Sequence, residues 1–178
     1  LNKERKEIEQ AALEEAISIA DRMLAEAPDT SVLMVGSPDW HRGVVGLIAS
    51  RLTERFKRPS CVISWDKEAI GGVMAGTASL RSVAGIDIGA AVRHAVTAGH
   101  LIKGGGHAMA AGLTVDKAKL DDLARFFSAT LADAAVRLAA RATLAIDGAL
   151  TPSAANDSLV DLLERAGPYG QGNPQPRF

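Results

Sequence analysis

The chain has 178 residues, of which 47% are hydrophobic and 23% charged, and its formal net charge is −1. These values are typical of an ordinary globular protein with a sizeable core, and the neutral balance gives no global attraction to nucleic acid or to an anionic membrane. The single cysteine, Cys61, excludes a disulfide framework, and no apolar run is long enough to predict a membrane span.

The charge is unevenly distributed along the chain. Between Trp40 and His107 there are nine Lys or Arg residues and four Asp or Glu residues, a net charge of +5, whereas the remainder carries −6. A basic centre between acidic arms favours an anionic ligand held centrally, and chance clustering on a solvated helix face is the alternative. Aromatic residues make up only 4% of the chain, so an extended base-stacking platform is not expected.

The first predicted elements are a helix, a strand and a second helix. Residues 2–27 carry an apolar stripe at helical spacing, and this helix either docks on another domain or covers its own. A strand at 32–36 leads through a turn to a helix at 44–56. His41 therefore lies between a strand end and a helix N-terminus, where open α/β sheets bind ligands; capping of its own loop is the alternative. Trp40 is a candidate for stacking on a base, although burial is the commoner fate of a tryptophan.

A predicted hairpin follows, with strands at 60–65 and 69–77. It leads into a polar cluster that leaves the second strand, Ser79-Leu80-Arg81-Ser82. Arg81 has a planar fork suited to phosphate, and Ser79 and Ser82 supply hydroxyl donors. Such clusters are also common in surface turns, so this signal is weak alone.

The segment Gly104-Gly105-Gly106-His107 is the most distinctive part of the chain. Three consecutive glycines can turn their N–H groups into one concavity, an anion nest suited to phosphate, and His107 would add a donor at its rim. A glycine-rich turn into a buried strand is the alternative. A helix at 88–98 with Asp87 as its N-cap precedes the segment, and a strand at 108–115 follows it.

The remaining chain predicts a long helix at 116–140, a short strand at 143–146 and a helix at 156–166. It ends in a Pro/Gly-rich segment and does not begin with methionine, so we expect a segment of a longer protein. The predicted fold class is α/β, with a mixed central sheet of about five strands and helices on its faces. A long N-terminal linker helix and a partial C-terminal segment complete it. No tight metal-ligand spacing, nucleophile signature or Walker loop is present.

Several segments together resemble the DHH-associated domain of RecJ-type exonucleases, which belong to the DHH phosphoesterase superfamily. They are Trp40 to Leu52, Gly76 to Asp87 with its Ser-x-Arg-Ser block, and Gly104 to Gly112 with its Gly-Gly-His block. Residues 1–9 resemble the start of the helix that links the two catalytic domains of that family. Residues 167–174 resemble the segment that enters its oligonucleotide-binding barrel. The five blocks follow the order of the family across nearly the whole chain.

The resemblance implies a linker helix at 1–28, a DHH-associated nucleic-acid-binding domain at 29–141 and the incomplete start of an oligonucleotide-binding domain at 142–178. It also implies a bacterial, cytoplasmic enzyme that degrades single-stranded DNA from its 5′ end in DNA repair and recombination. In that family a preceding DHH domain binds Mn²⁺ or Mg²⁺. This chain alone is therefore expected to hold no metal and to be inactive.

The resemblance also implies one phosphate-binding set, namely His41, Ser79, Arg81, Ser82, Gly104, Gly105, Gly106 and His107. Arg81 would clamp a phosphate, and the glycine amides with His107 would hold phosphate oxygens and stabilise developing charge. Two alternatives stay open. One is a phosphodiesterase for short oligoribonucleotides or cyclic dinucleotides, against which the apparent entry into a barrel argues. The other is a non-catalytic RNA-binding module, like the related domain of alanyl-tRNA synthetases.

Overall fold

The computed structural model describes residues 2–140, 146–170 and 173–178. The chain divides into two compact units, Leu1–Ala140 and Arg141–Phe178. No helix in these described ranges is both long and apolar enough to cross a membrane.

The first unit contains four helices and five strands among its described residues. In chain order these are α1 (Asn2–Glu26), β1 (Leu33–Ser37), α2 (Val45–Phe56), β2 (Ser60–Trp65), β3 (Ala75–Arg81), α3 (Ile88–Thr97), β4 (Lys103–His107), β5 (Ala110–Asp116) and α4 (Leu120–Ala140). The predicted α/β class with a five-stranded sheet is confirmed. The predicted cap of α3 is also present, because the Asp87 side chain accepts a hydrogen bond from the Ala90 N–H at 2.8 Å.

The strands form one mixed sheet in the order β1-β2-β3-β5-β4. β1 pairs with β2 in parallel, and the other three pairs are antiparallel. The parallel pair needs a crossover, which α2 provides. β4 and β5 form a hairpin in which β5 inserts beside β3, so β4 is an edge strand.

Helices cover the two faces of the sheet unequally. On one face α1 and α2 pack against β1 and β2, and α2 also reaches β3, with Ala12, Ala16 and Ala20 of α1 buried in this cluster. On the other face α3 and α4 close a second core around Leu80, Leu113 and Phe127. α1 therefore covers its own unit, which was one of the two interpretations of its pattern.

The predicted bounds of β3 are wrong. Residues 70–73 form a tight turn instead, in which the N–H groups of Ile70 and Val73 each donate to the other's carbonyl. The two residues between them, Gly71 and Gly72, have φ values of 61° and 81°, which glycine adopts without strain. β3 begins only at Ala75 and runs through Arg81 because it pairs with β2 on one side and β5 on the other.

The glycine run does not form the predicted anion nest. Residues 103–107 are an extended edge strand paired with β5 from Lys103–Thr114 to His107–Ala110. Hydrogen-bonded pairing with β5 determines this conformation, and of the three glycines only Gly106 has a positive φ, at 156°. The N–H groups of the run therefore do not converge on one point.

The second unit contains α5 (Asp157–Ala166), close to the predicted helix. The Asn156 side chain caps it by accepting from the Leu159 N–H at 3.2 Å. The Tyr169 hydroxyl donates to the Leu163 carbonyl at 2.5 Å and fastens the following segment to the helix. The predicted strand at 143–146 falls mostly outside the described residues.

Candidate nucleic-acid interface

Half of one sheet face is left uncovered within the first unit. α1 and α2 extend over β1, β2 and the near side of β3, whereas α3 packs on β4 and β5 from the opposite side. We call the uncovered surface the open face. Its residues alternate along three strands: Thr77, Ser79 and Arg81 of β3, Ala110, Gly112 and Thr114 of β5, and Lys103, Gly105 and His107 of β4.

The register of the strands arranges the open face in three rows, each crossing β3, β5 and β4. The first row is Arg81, Ala110 and His107, the second is Ser79, Gly112 and Gly105, and the third is Thr77, Thr114 and Lys103. Each row is about 10 Å wide, and neighbouring rows are about 7 Å apart, from standard strand spacings. β5, the strand between β3 and β4, carries only small side chains on this face, so the middle of the open face is lower than its borders. We call this middle part the floor; basic groups lie at its two borders.

Arg81 is the half-buried cation at one border of this floor. Its Nη1 donates to the Leu80 carbonyl at 2.9 Å. Among the described residues it forms no ion pair with a carboxylate. A guanidinium with remaining donors and no carboxylate partner keeps its capacity to bind a phosphate in a bidentate manner.

The N-terminus of α2 lies beside this guanidinium. A Cβ on Gly46, in the first turn, would lie 3.5 Å from both Arg81 Nη2 and Ser79 Oγ. The first turn contains no acidic residue, and its N-cap, Val44, makes no side-chain hydrogen bond. The partial positive charge of the helix N-terminus therefore adds to that of Arg81.

His41 lies in the turn that enters α2, as predicted, and its side chain is exposed. Its Nδ1 accepts a hydrogen bond from the Gly43 N–H at 3.0 Å, so the alternative of local capping is realised. Nε2 remains available to donate to a ligand. Arg42, next in sequence, is instead held in an ion pair with Asp66. Phosphate binding by His41 stays a prediction.

The three glycines of β4 have different surroundings. A Cβ on Gly104 would lie 2.7 Å from Val92 Cγ1 of α3, and one on Gly106 would lie 2.4 Å from the Ala110 carbonyl oxygen. Packing therefore excludes a side chain at both positions. A Cβ on Gly105, which belongs to the open face, would meet nothing within 4 Å. The exposed His107 side chain follows at the end of the strand.

Two predicted site residues do not belong to the open face. Ser82 is buried, and its hydroxyl donates to the Ile86 carbonyl at 2.7 Å, so it stabilises the loop before α3. Trp40 is only 3% exposed, and its Nε1 donates to a Glu15 carboxylate oxygen at 2.7 Å. The prediction of base stacking by Trp40 is therefore wrong, and burial, the alternative, is correct.

Five residues of the open face were absent from the predicted site, namely Thr77, Lys103, Ala110, Gly112 and Thr114. A Cβ on Gly112 would meet only the Ala78 carbonyl oxygen at 3.7 Å, an ordinary contact, so packing does not require glycine there. The signal was the period of two in Thr77-Ser79-Arg81, which places all three side chains on one face of a strand. It was missed because the predicted strand ended before Ser79.

The described residues do not provide a metal centre. Within these ranges, no group of three or more His, Cys, Asp or Glu side chains is placed to hold a metal ion. The polar groups of the open face are hydroxyls, the cations of Arg81 and Lys103 and the imidazole of His107, with no carboxylate among them, and this set suits an anion rather than a hard divalent cation.

Comparison with known proteins identifies the family of this chain. The family model described as the DHHA1 domain matches residues 29–133. The single-stranded-DNA-specific exonuclease RecJ of Haemophilus influenzae is 34% identical over 183 residues, covering 100% of this chain and 31% of that protein. The protein of the same name from Escherichia coli is 35% identical over 182 residues, covering 100% of this chain and 30% of its own length.

Solved structures of RecJ proteins also match most of this chain. RecJ from Thermus thermophilus in complex with Mg²⁺ superimposes with a TM-score of 0.67 at 27% identity, covering 98% of this chain and 25% of that one. An exonuclease RecJ bound to manganese gives a TM-score of 0.57 at 28% identity, covering 76% of this chain and 31% of that one.

The chain therefore belongs to the DHHA1 domain family. Its similarity to RecJ proteins along its whole length makes it a RecJ-type member of the DHH superfamily, as the sequence motifs predicted. It spans about 30% of the length of these curated relatives.

Proposed function

We propose that this chain is the strand-binding part of a 5′→3′ single-stranded-DNA exonuclease that acts in the cytoplasm in DNA repair and recombination. The relatives that match the whole chain are named single-stranded-DNA-specific exonucleases, which supports DNA rather than short oligoribonucleotides as the substrate. In this proposal residues 1–28 link to a preceding DHH domain, residues 29–141 bind the strand, and residues 142–178 begin an oligonucleotide-binding domain.

The open face is the observation that carries this proposal. Arg81 and Lys103, at its borders, make no ion pair with a carboxylate of the described residues. Between them the floor offers hydroxyls and exposed glycine backbone, with which a sugar-phosphate chain can form hydrogen bonds at close range. Cations at the borders and small residues between them suit a backbone better than a base, because the open face carries no Phe, Tyr or Trp side chain on which a base could stack.

Within the open face we assign phosphate binding to Arg81, Ser79 and His107, with Gly105 allowing the backbone to approach. The N-terminus of α2 extends this positive region beside Arg81, and His41, in the turn that enters α2, adds an Nε2–H donor. Gly104 and Gly106 have a packing role, and the contribution of their amides to binding stays a prediction. Ser82 and Trp40 are removed from the predicted set.

Hydrolysis is proposed to depend on Mn²⁺ or Mg²⁺ held by the DHH domain outside this chain. The two RecJ structures are described as bound to Mg²⁺ and to manganese, whereas the described residues here do not fit a metal centre. The part played by this chain is to bind and orient the strand. Alone, it is expected to bind single-stranded DNA without cutting it.

The substitution Arg81→Gln in the complete protein tests this proposal. Binding of a 5′-phosphorylated single strand is measured by fluorescence anisotropy in EDTA, which prevents metal-dependent cleavage. Loss of a charge-assisted contact costs about 1.5–3 kcal/mol, so Kd should rise roughly ten- to hundredfold. Arg81→Lys should recover only part of this loss because an ammonium cannot make the bidentate contact.

Arg125→Gln is the matched control. Arg125 is exposed on α4 and pairs with Asp122, away from the open face. This variant should bind like the wild type. Equal Kd values for Arg81→Gln and Arg125→Gln would show that Arg81 does not contact the strand, and the proposed function would then be wrong.

A further inference from the structure

We propose that Lys103, Thr77 and Thr114 form a second phosphate-binding subsite, which holds the DNA strand some nucleotides away from the phosphate at Arg81. This inference rests on the proposed function, since it assigns a path to the strand across the open face. None of these three residues belongs to the phosphate-binding set that the resemblance implied, and Lys103 and Thr114 also lie outside its sequence blocks.

The register of β3, β5 and β4 determines where this subsite lies on the open face. Thr77, Thr114 and Lys103 are aligned across β3, β5 and β4. Thr77 is four residues from Arg81 along β3, which corresponds to about 14 Å. That distance is about four times the 3.4 Å rise per nucleotide along one strand of B-DNA, and an extended strand covers it with fewer nucleotides. One strand can therefore place separate phosphates at both rows.

The row between the two subsites leaves this path open. It consists of Ser79, Gly112 and Gly105, whose side chains are a hydroxymethyl group and two hydrogens. Neither glycine has a positive φ, and neither would clash with the protein if it carried a Cβ. The fold would therefore tolerate larger side chains at Gly105 and Gly112. A nucleic acid backbone that crosses this row would not, because such side chains would stand in its path.

The chemistry of the third row suits a phosphate. The Lys103 side chain is exposed at the edge of the sheet and, within the part of the chain that the structure describes, forms no ion pair. The hydroxyls of Thr77 and Thr114 are donors on the same face, half-buried beside it. A lysine point charge with neighbouring hydroxyl donors is a common way to hold a phosphate oxygen.

The path ends beyond this row. The next pair in the register is Ala75 and Asp116, and the Asp116 carboxylate accepts a hydrogen bond from the Ala118 N–H at 3.1 Å. A carboxylate fixed in this position repels a phosphate. The Lys103 row is therefore the last phosphate position on this side of the open face.

The salt dependence of binding by the complete protein tests the subsite. Anisotropy titrations of a 5′-phosphorylated oligodeoxythymidylate in EDTA are repeated at several NaCl concentrations, for the wild type, Lys103→Gln, Arg81→Gln and Lys119→Gln. Each phosphate contact on a single strand contributes about 0.7 to the slope of log K against log salt. Lys103→Gln should lower the slope by about this amount and weaken binding several-fold. Thr114→Val, which keeps the shape of the side chain, should weaken binding with little change in slope.

Lys119→Gln is the charge-matched control, because Lys119 lies just before α4 and its Nζ donates to the Gly99 carbonyl. It should retain the wild-type slope. If Arg81→Gln weakens binding while Lys103→Gln behaves like Lys119→Gln, the second subsite is wrong and the proposed function stands. If neither Arg81→Gln nor Lys103→Gln differs from the control, both proposals fail. A circular dichroism spectrum of each variant confirms that the fold is retained.

Discussion

At the scale of single residues, the three glycines of β4 show that neighbouring identical residues are required for different reasons. Gly104 and Gly106 face protein atoms that leave no space for a Cβ, whereas Gly105 faces open space. Glycine is therefore required for stability at positions 104 and 106. At position 105 its lack of a side chain instead keeps the open face accessible to a ligand.

The substitution Gly105→Ala separates these roles. Because a Cβ at this position meets nothing within 4 Å, the free energy of unfolding should change by less than about 0.5 kcal/mol. The new methyl group stands in the proposed path of the strand, so Kd for single-stranded DNA should rise at least tenfold. Urea unfolding and anisotropy measure the two quantities.

Gly104→Ala is the comparison variant. Its Cβ would lie 2.7 Å from Val92 Cγ1, and such overpacking costs about 1–3 kcal/mol. A Gly105→Ala protein that binds DNA normally would show that the strand does not pass over this position.

Trp40 gives a second prediction at this scale. Trp40→Phe removes the hydrogen bond from Nε1 to Glu15 and should lower the free energy of unfolding by about 1–2 kcal/mol. The affinity for DNA should not change, since the ring is buried. Glu15→Gln keeps an oxygen acceptor and should cost less. An unchanged stability together with weaker DNA binding would mean that the indole contacts the strand instead.

At the scale of elements, the sequence predicted the main helices and the strands β1, β2 and β5 because their apolar periods are clear. It failed at the bounds of β3, where the alternation runs through small residues and was not recognised as a strand beyond Thr77. Pairing on both sides determines that strand, and pairing partners are distant in sequence. The same reason explains why the glycine run became a strand rather than a nest.

β2 carries a prediction about pH. Burial raises the pKa of the Cys61 thiol from 9.0 to about 12. Below pH 9 the thiol is protonated in both the folded and the unfolded chain and contributes no pH dependence. Between pH 9 and 12 only the unfolded chain loses this proton, so ionisation favours unfolding and the stability falls as the pH rises.

Urea unfolding at pH 8 and at pH 10 measures this effect. The decline in unfolding free energy should be smaller in Cys61→Ala, in which the titrating group is absent. Parallel declines in the two proteins would show that the Cys61 thiol does not ionise differently in the two states. At pH 8 the wild-type thiol should also resist alkylation until urea unfolds the chain.

At the scale of the whole molecule, the arrangement of strands creates the candidate site. α1 and α2 cover β1, β2 and the near side of β3 on one face, and the β4–β5 hairpin extends the sheet beyond them. Motifs far apart in sequence, around Arg81 and around His107, meet on the uncovered half because β5 pairs with both β3 and β4. The motifs could be identified from the sequence. The three rows of the open face could not, because they depend on the register between β3, β5 and β4.

The central claim is that the open face binds the DNA backbone. An amide ¹H–¹⁵N NMR titration of this chain with a short 5′-phosphorylated single strand tests it most directly, because it reports millimolar binding residue by residue. We predict shift changes along the three rows, strongest at Arg81, Gly105, His107 and Lys103, with α4 unchanged. Changes confined to α4 or to α5, or no change at millimolar DNA, would contradict the account.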